Sequence, residues 1–247
     1  NGNTTGVVNA ATVATLSGAY AALNTAYTAA DNAEISNLGN EAISLTANVT
    51  VTEAVTLNNH TSGVITGTIS TGDMTSLAAL TETANVYAIT VTDGSVAASA
   101  LNTLNGKTAG TITATAINTL TGAASDANTA LTASGINGLG GEAVTINDTS
   151  LAIATLDTLN GNTTGVINAN TVTTLTGAAA TMNTVYTAAG SGEITNLGNE
   201  AITLDDTSLA IATLNTLNGN TSGAINAATI TTLTGATATI NSIYAAG

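Results

Sequence analysis

The sequence predicts an α/β repeat solenoid: coils of about 23 residues, with a parallel β-sheet on one side and short helices or turns on the other. Three observations predict it. The stretch "TLNGNTTGVINANTVTTLTG", Thr158 to Gly177, returns four more times with small edits. Short aliphatic runs recur at near-constant intervals, and the segments between them carry helical spacing. An all-β right-handed solenoid is the alternative. Residues 1–247 read as one array, and the absence of an initiator Met or basic leader reads as a fragment of a longer chain.

Equivalent places begin at Asn1-Gly2-Asn3, Asn58-Asn59-His60, Asn105-Gly106-Lys107, Asn160-Gly161-Asn162 and Asn218-Gly219-Asn220. Each is followed by a glycine (Gly6, Gly63, Gly110, Gly165 or Gly223), read as a turn into a β-favouring run. Those runs are "VVNA", "VITG", "TITA", "VINA" and "AINA". A second family, "AISL", "AITV", "AVTI" and "AITL", lies between them. Their first aliphatic residues are Val8, Ile43, Ile65, Ile89, Ile112, Val144, Ile167, Ile202 and Ile225. The gaps are 22 to 24 residues, except for three of 32 or 35. Those three are expected to hold insertions, such as "ADNAEISNLGN" and "GSGEITNLGN".

Between the runs, Ala97, Ala100, Leu101 and Leu104 share a helical face, with Ser95 as N-cap and Gly106 beyond the end. Ala152, Thr155, Leu156 and Leu159 repeat that pattern. Met182, Val185 and Tyr186 share a face, as do Ile240, Ile243 and Tyr244. Strand–helix–strand repetition implies parallel neighbours joined by right-handed crossovers. The first aliphatic of each run and the residue two beyond it point inward, as in Ile89 with Val91, Val144 with Ile146 and Ile202 with Leu204.

The residues between them point outward. In order they are Asn9, Ser44, Thr66, Thr90, Thr113, Thr145, Asn168, Thr203 and Asn226, and all are Asn, Ser or Thr. Two positions on, Thr68, Thr92 and Thr115 complete Thr-x-Thr pairs in the middle coils. An array of hydroxyls and methyls about 4.8 Å apart between rungs suits ordered water, a repetitive solid or a glycan. It resembles the Thr-x-Thr faces of ice-binding solenoids. The plainer reading is that β-branched residues and stacked amides simply suit outward strands.

Composition narrows the function classes. One Lys and no Arg stand against 15 Asp plus Glu, a net charge of −14, so nucleic acid and anionic membranes are poor partners. Hydrophobic residues make up 44 %, enough to fold, yet no apolar run is long enough for a membrane helix. Cysteine is absent, which fits the cytosol or a disulfide-free surface protein. No nucleophile elbow or metal cluster points to an enzyme.

Isolated motifs have plain readings. Gly106-Lys107-Thr108 ends like a phosphate-binding loop, but Leu101 stands where its first glycine belongs. His60, the only imidazole, reads as a solvated loop residue. Glu41, Glu142 and Glu200 recur before strands, on coils too far apart for acid/base pairing. No cofactor is expected. Calcium is the one cofactor the residues allow, through these carboxylates with Asp148, Asp205 and Asp206, although the calcium-repeat spacing is missing. Asp93, Asp148 and Asp206 precede predicted helices and read as first-turn or capping carboxylates.

Units such as "DTSLAIATLDTLNGNTTGVINANTVTTLTGAAATMNTVYTAAG" resemble the Thr/Asn/Ala-rich tandem repeats of giant secreted surface proteins of marine bacteria, particularly picocyanobacteria. The resemblance covers essentially the whole chain. It implies secretion and a role at the cell surface or in an extracellular fibre, as a spacer or self-associating stalk of an adhesin or filament. The expected partners are other copies or flanking repeats end to end, and, if the outward ladder binds, a surface glycan or solid.

Overall fold

The computed structural model describes residues 4–81 and 83–236. It is an α/β structure with eight helices among the described residues and strands that pair in parallel. The chain divides into two compact units: Asn1–Val96, Ala100–Ile117 and Ala133–Gly138; and Ala97–Ser99, Asn118–Thr132 and Leu139–Gly247. The sequence repeat runs through this division without marking it.

The first unit holds helices α1 (Tyr20–Asp31), α2 (Val51–Asn58), α3 (Met74–Leu77) and most of α4 (Ala98–Asn105). Its sheet runs in spatial order through strands 15–18, 42–45, 65–68, 86–90, 112–113 and 136–137. Aliphatics stack on aliphatics: Leu16 opposes Ile43, Ile43 opposes Ile65, and Ile112 lies between Ile89 and Ile136. Ile43, Ile65, Ile89, Ile112 and Ile136 are all buried. Removing such a side chain from water stabilises by about 1.5–3 kcal/mol, so a ladder of them fixes the register.

One step departs from it. Thr66 opposes Val86, Gly67 opposes Tyr87 and Thr68 opposes Ala88, a step of 20 residues. The coil is short because α3 has only four residues. The buried Tyr87 ring is accommodated opposite a glycine, and a Cβ on Gly67 would lie 2.7 Å from the Leu45 side chain.

In the second unit, α5 (Ala124–Thr132), α6 (Ile153–Asn162), α7 (Ala179–Ser191) and α8 (Ile211–Asn220) pack each against the next. One sheet aligns Leu120, Val144, Ile167 and Ile194. Another aligns Leu151, Leu175, Ile202 and Ile225. Both place the strand types in the same order: "TLTG", then "AVTI" or "AITL", then "VIN" or "AIN".

These pairings explain the long gaps. Ile194 stacks on Ile167 at a step of 27 residues, and Ile202, eight residues later, begins a rung on a different sheet beside Leu175. The segment "GSGEITNLGN" is therefore no added loop, because its Ile194–Thr195 is itself a strand. Ile35–Ser36 does the same in "ADNAEISNLGN", pairing with Val8–Asn9.

The helix faces hold at their centres and shift at their starts. Leu101, Leu104, Leu156, Leu159, Met182, Val185 and Tyr186 are buried. Ser95 and Ala97 belong to a strand, so Ser95 does not cap α4. Ile153, not Ala152, opens the buried face of α6. The face drawn from Ile240, Ile243 and Tyr244 lies outside the described residues.

Candidate functional site

The outward residues sit in strands or immediately beyond them. Asn9, Ser44, Thr66, Thr68, Thr92, Thr115, Thr203 and Asn226 are exposed, and Thr90, Thr113, Thr145 and Asn168 are half-buried. They do not form one row. Ser17, Ser44 and Thr66 align; Thr90 aligns with Thr113 and Asn137; Thr121, Thr145, Asn168 and Thr195 align; and Thr176, Thr203 and Asn226 align. A nine-rung ladder in a single sheet is thus replaced by separate short rows, because the chain changes sheets at each long gap. Within the first unit the 20-residue step also breaks the Thr-x-Thr array, placing Thr66 and Thr68 opposite Val86 and Ala88, not Thr90 and Thr92.

The asparagines of the ladder are engaged in local hydrogen bonds at the surface. Asn9 Oδ1 accepts from Ala11 N at 3.0 Å and from Asn37 Nδ2 at 2.8 Å. Asn168 Oδ1 accepts from Asn170 N at 3.2 Å and from Asn196 Nδ2 at 2.8 Å. Asn226 Oδ1 accepts from Ala228 N at 3.1 Å. Asn37 and Asn196 adopt positive φ, which Asn tolerates better than most residues. These amides turn the chain at strand ends.

The repeated Thr-x-Gly carries a denser network. Thr61, Thr163 and Thr221 donate their hydroxyls to the Glu41, Glu142 and Glu200 carbonyls at 2.7, 2.8 and 3.1 Å. The same hydroxyls accept from Gly63, Gly165 and Gly223 N at 3.0, 3.0 and 2.9 Å. Thr108 and Gly110 do likewise with Tyr87 as the carbonyl partner, at 2.9 Å on each side. A Cβ on any of these four glycines would overlap that carbonyl. The glycine thus permits close contact with the neighbouring segment as well as the bend into the strand that the sequence suggested. The signal for it was the invariant Thr two residues earlier.

Glu41, Glu142 and Glu200 are buried, and their carboxylates are spent on the preceding turn. Gly39 N donates to Glu41 at 2.8 Å, Gly140 N to Glu142 at 2.6 Å and Gly198 N to Glu200 at 2.9 Å. Tyr186 OH adds a bond of 2.9 Å to Glu200, and Tyr27 OH a longer one of 3.4 Å to Glu41. Burial and the adjacent carboxylates push both phenols up, Tyr27 to about 12. Helical spacing placed Tyr186 on a shared face but linked neither tyrosine to its glutamate, although each stands fourteen residues before it.

The aspartates cap helices, but ones that begin 19 to 27 residues earlier in the chain. Asp93, Asp148 and Asp206 accept from Met74, Ala124 and Ala179 N, each at 2.8 Å, at the starts of α3, α5 and α7. Carboxylates already facing N–H donors do not converge on a cation, and among the described residues no His/Cys/Asp/Glu group of three or more is placed to hold a metal. His60 lies in the turn after α2, as expected, but is half-buried and not fully solvated. It stacks on Tyr27 at 5.2 Å with Nδ1 3.6 Å from Asp31. Lys107 donates to the Ala78 carbonyl at 3.0 Å and to that of Leu80, closing the end of α3. Its ammonium is committed to a structural carbonyl pair.

Comparison with known proteins gives no match to a family model, a curated protein or a solved structure.

Proposed function

We propose that the chain is a structural segment: a stack of α/β solenoid coils serving as a spacer or self-associating stalk in a secreted cell-surface adhesin or extracellular filament, with no chemistry of its own. One observation carries this reading. The recurring polar side chains that resemble active-site material are spent on structure: Thr, Asp and Asn bond to segments some 20–30 residues away, and the Glu carboxylates to the turn just before them. Such nearest-neighbour bonds let a repeat be added without redesigning the rest. The test is to duplicate residues 165–222 in place. Small-angle scattering should then show a longer particle of unchanged cross-section. A particle swollen in all directions would overturn the reading.

A second reading, a face for ice, mineral or polysaccharide, has one observation in its favour. A shallow groove of about 450 Å³ is lined by Thr176, Thr203, Thr181, Ala154 and Asp205, with outward hydroxyls along one wall. Replacing Thr176 and Thr203 by Lys should abolish adsorption to any such ligand. Equal adsorption by the variant would remove this reading.

A further inference from the structure

Four segments carry Thr-x-Gly before an aliphatic run with a glutamate-bearing or equivalent strand available to pair, and a fifth, Thr4-Thr5-Gly6, has the same internal geometry without such a partner among the described residues. Gly6 N donates to Thr4 Oγ1 at 3.2 Å, as Gly63, Gly165 and Gly223 do to their threonines. At those three glycines the place of a Cβ is filled by the backbone of Glu41, Glu142 or Glu200. At Gly6 the nearest described atom to that place is Thr4 Oγ1, at 3.9 Å. The following strand pairs on its other side: Val8 N donates to Glu34 O and Ala10 N to Ser36 O, each at 2.9 Å. Val7 is 65 % exposed, and its equivalents Val64, Val166 and Ala224 accept through their carbonyls from Ile43, Val144 and Ile202 N at 2.9, 3.0 and 2.8 Å.

We propose that the edge Thr4–Asn9 is a docking site for one kind of occupant: an extended Gly-x-Glu-Ala-(Ile/Val)-(Ser/Thr) segment, belonging to another stretch of this same repeat, laid down in parallel. The three internal junctions define what fits. The incoming Glu carbonyl enters the space over Gly6 and accepts from Thr4 Oγ1. The residue two beyond the Glu donates its N–H to the Val7 carbonyl. This is strand addition, in which main-chain bonds supply affinity and register comes from the side chains. The glycine supplies selectivity, since only a residue without a Cβ admits the carbonyl. The proposal rests on the array reading only in taking the internal junctions as templates.

The probe is a fluorescent peptide of residues 196–209, "NLGNEAITLDDTSL". Fluorescence anisotropy should show saturable binding to the chain, weakened at least tenfold by Gly6→Ala. That variant should keep the wild-type circular dichroism and melting temperature, because the added methyl meets no described atom closer than Thr4 Oγ1. A peptide with Ile202 and Leu204 replaced by Asp should not bind. Absence of binding to the wild-type chain, or equal binding to the Gly6→Ala chain, would overturn the proposal. If the duplicated chain still lengthens in scattering when the peptide fails to bind, the array reading survives and the edge alone is refuted.

Discussion

Two junctions in the second unit, at Glu142 and at Glu200, share a backbone and differ in one side chain. Each has a threonine hydroxyl on the glutamate carbonyl, a close-packed glycine and a carboxylate folded back on a glycine N–H. Glu200 also receives Tyr186 OH from α7, which has 13 residues. The helix before Glu142, α5, has nine, and Leu131 follows Ala130 where Tyr186 follows Val185. Glu200 is 0 % exposed and Glu142 5 %. The invariant part of the junction is therefore the backbone contact, and the tyrosine is an addition that seals it. Variants can separate the two contributions.

The largest effect belongs to the shared part. Gly165→Ala and Gly223→Ala each force a methyl into a neighbouring carbonyl, where the backbone has no free direction to yield. Each should cost about 3 kcal/mol, at the upper end for overpacking. Urea midpoints should fall together at the two sites. A large drop at Gly223 with none at Gly165 would show that the junctions do not share one backbone device.

Next come the carboxylates, where the junctions should diverge. Glu142→Ala strands one half-buried Gly140 N–H, whereas Glu200→Ala strands the half-buried Gly198 N–H and the buried Tyr186 hydroxyl. Leaving a buried donor unsatisfied costs about 1–3 kcal/mol. Chemical denaturation should therefore rank Glu200→Ala below Glu142→Ala by about 1–2 kcal/mol. Equal losses would mean that the tyrosine finds another acceptor and seals nothing.

How much of this was legible in the sequence follows from the range of each interaction. Aliphatic period and helical spacing are local, so Ile43, Val144, Leu156 and Met182 could be placed inward from local spacing alone. Pairing is not local. Taking Ile167 and Ile202 as successive rungs of one ladder overlooked Ile194, whose strand has only two residues and is flanked by Glu193 and Asn196. Two-residue strands give no alternation to detect. The aspartates were legible as helix carboxylates, yet the helix each one serves starts 19 to 27 residues earlier in the chain, and only stacking reveals that. The Asn ladder was visible as a pattern. Its use at turns depends on the positive φ of Asn37 and Asn196, in segments the sequence presented as insertions.

A smaller effect isolates the added hydroxyl. Tyr186→Phe keeps the ring and removes one bond of 2.9 Å to a carboxylate, so it should cost about 1.5–3 kcal/mol if the bond is charge-assisted and about 1 kcal/mol if it is not. Tyr27→Phe should cost less, since its bond is 3.4 Å. Thermal melts of the two variants measure the difference. A greater loss at Tyr27 would mean that the length of the bond to the glutamate does not set the ranking.

The last effect is a pH dependence that appears only in alkali. An exposed tyrosine in the unfolded chain gives up its proton near 10, while burial and Glu41 hold that of Tyr27 to about 12. Between those values the native state binds the proton that the unfolded state has lost, so stability falls as pH rises. Below about pH 10 both states are protonated and the contribution is complete. Tyr186, raised for the same reasons, moves in the same direction. The wild-type denaturation midpoint should accordingly decline from pH 10 upward, and the decline should flatten in the Tyr27→Phe, Tyr186→Phe double variant. The Glu142 junction has no tyrosine to titrate, so Glu142→Ala should shift the whole curve down without changing its slope. An unchanged alkaline slope in the double variant would place the sensitive group elsewhere and dissolve the distinction between sealed and unsealed junctions.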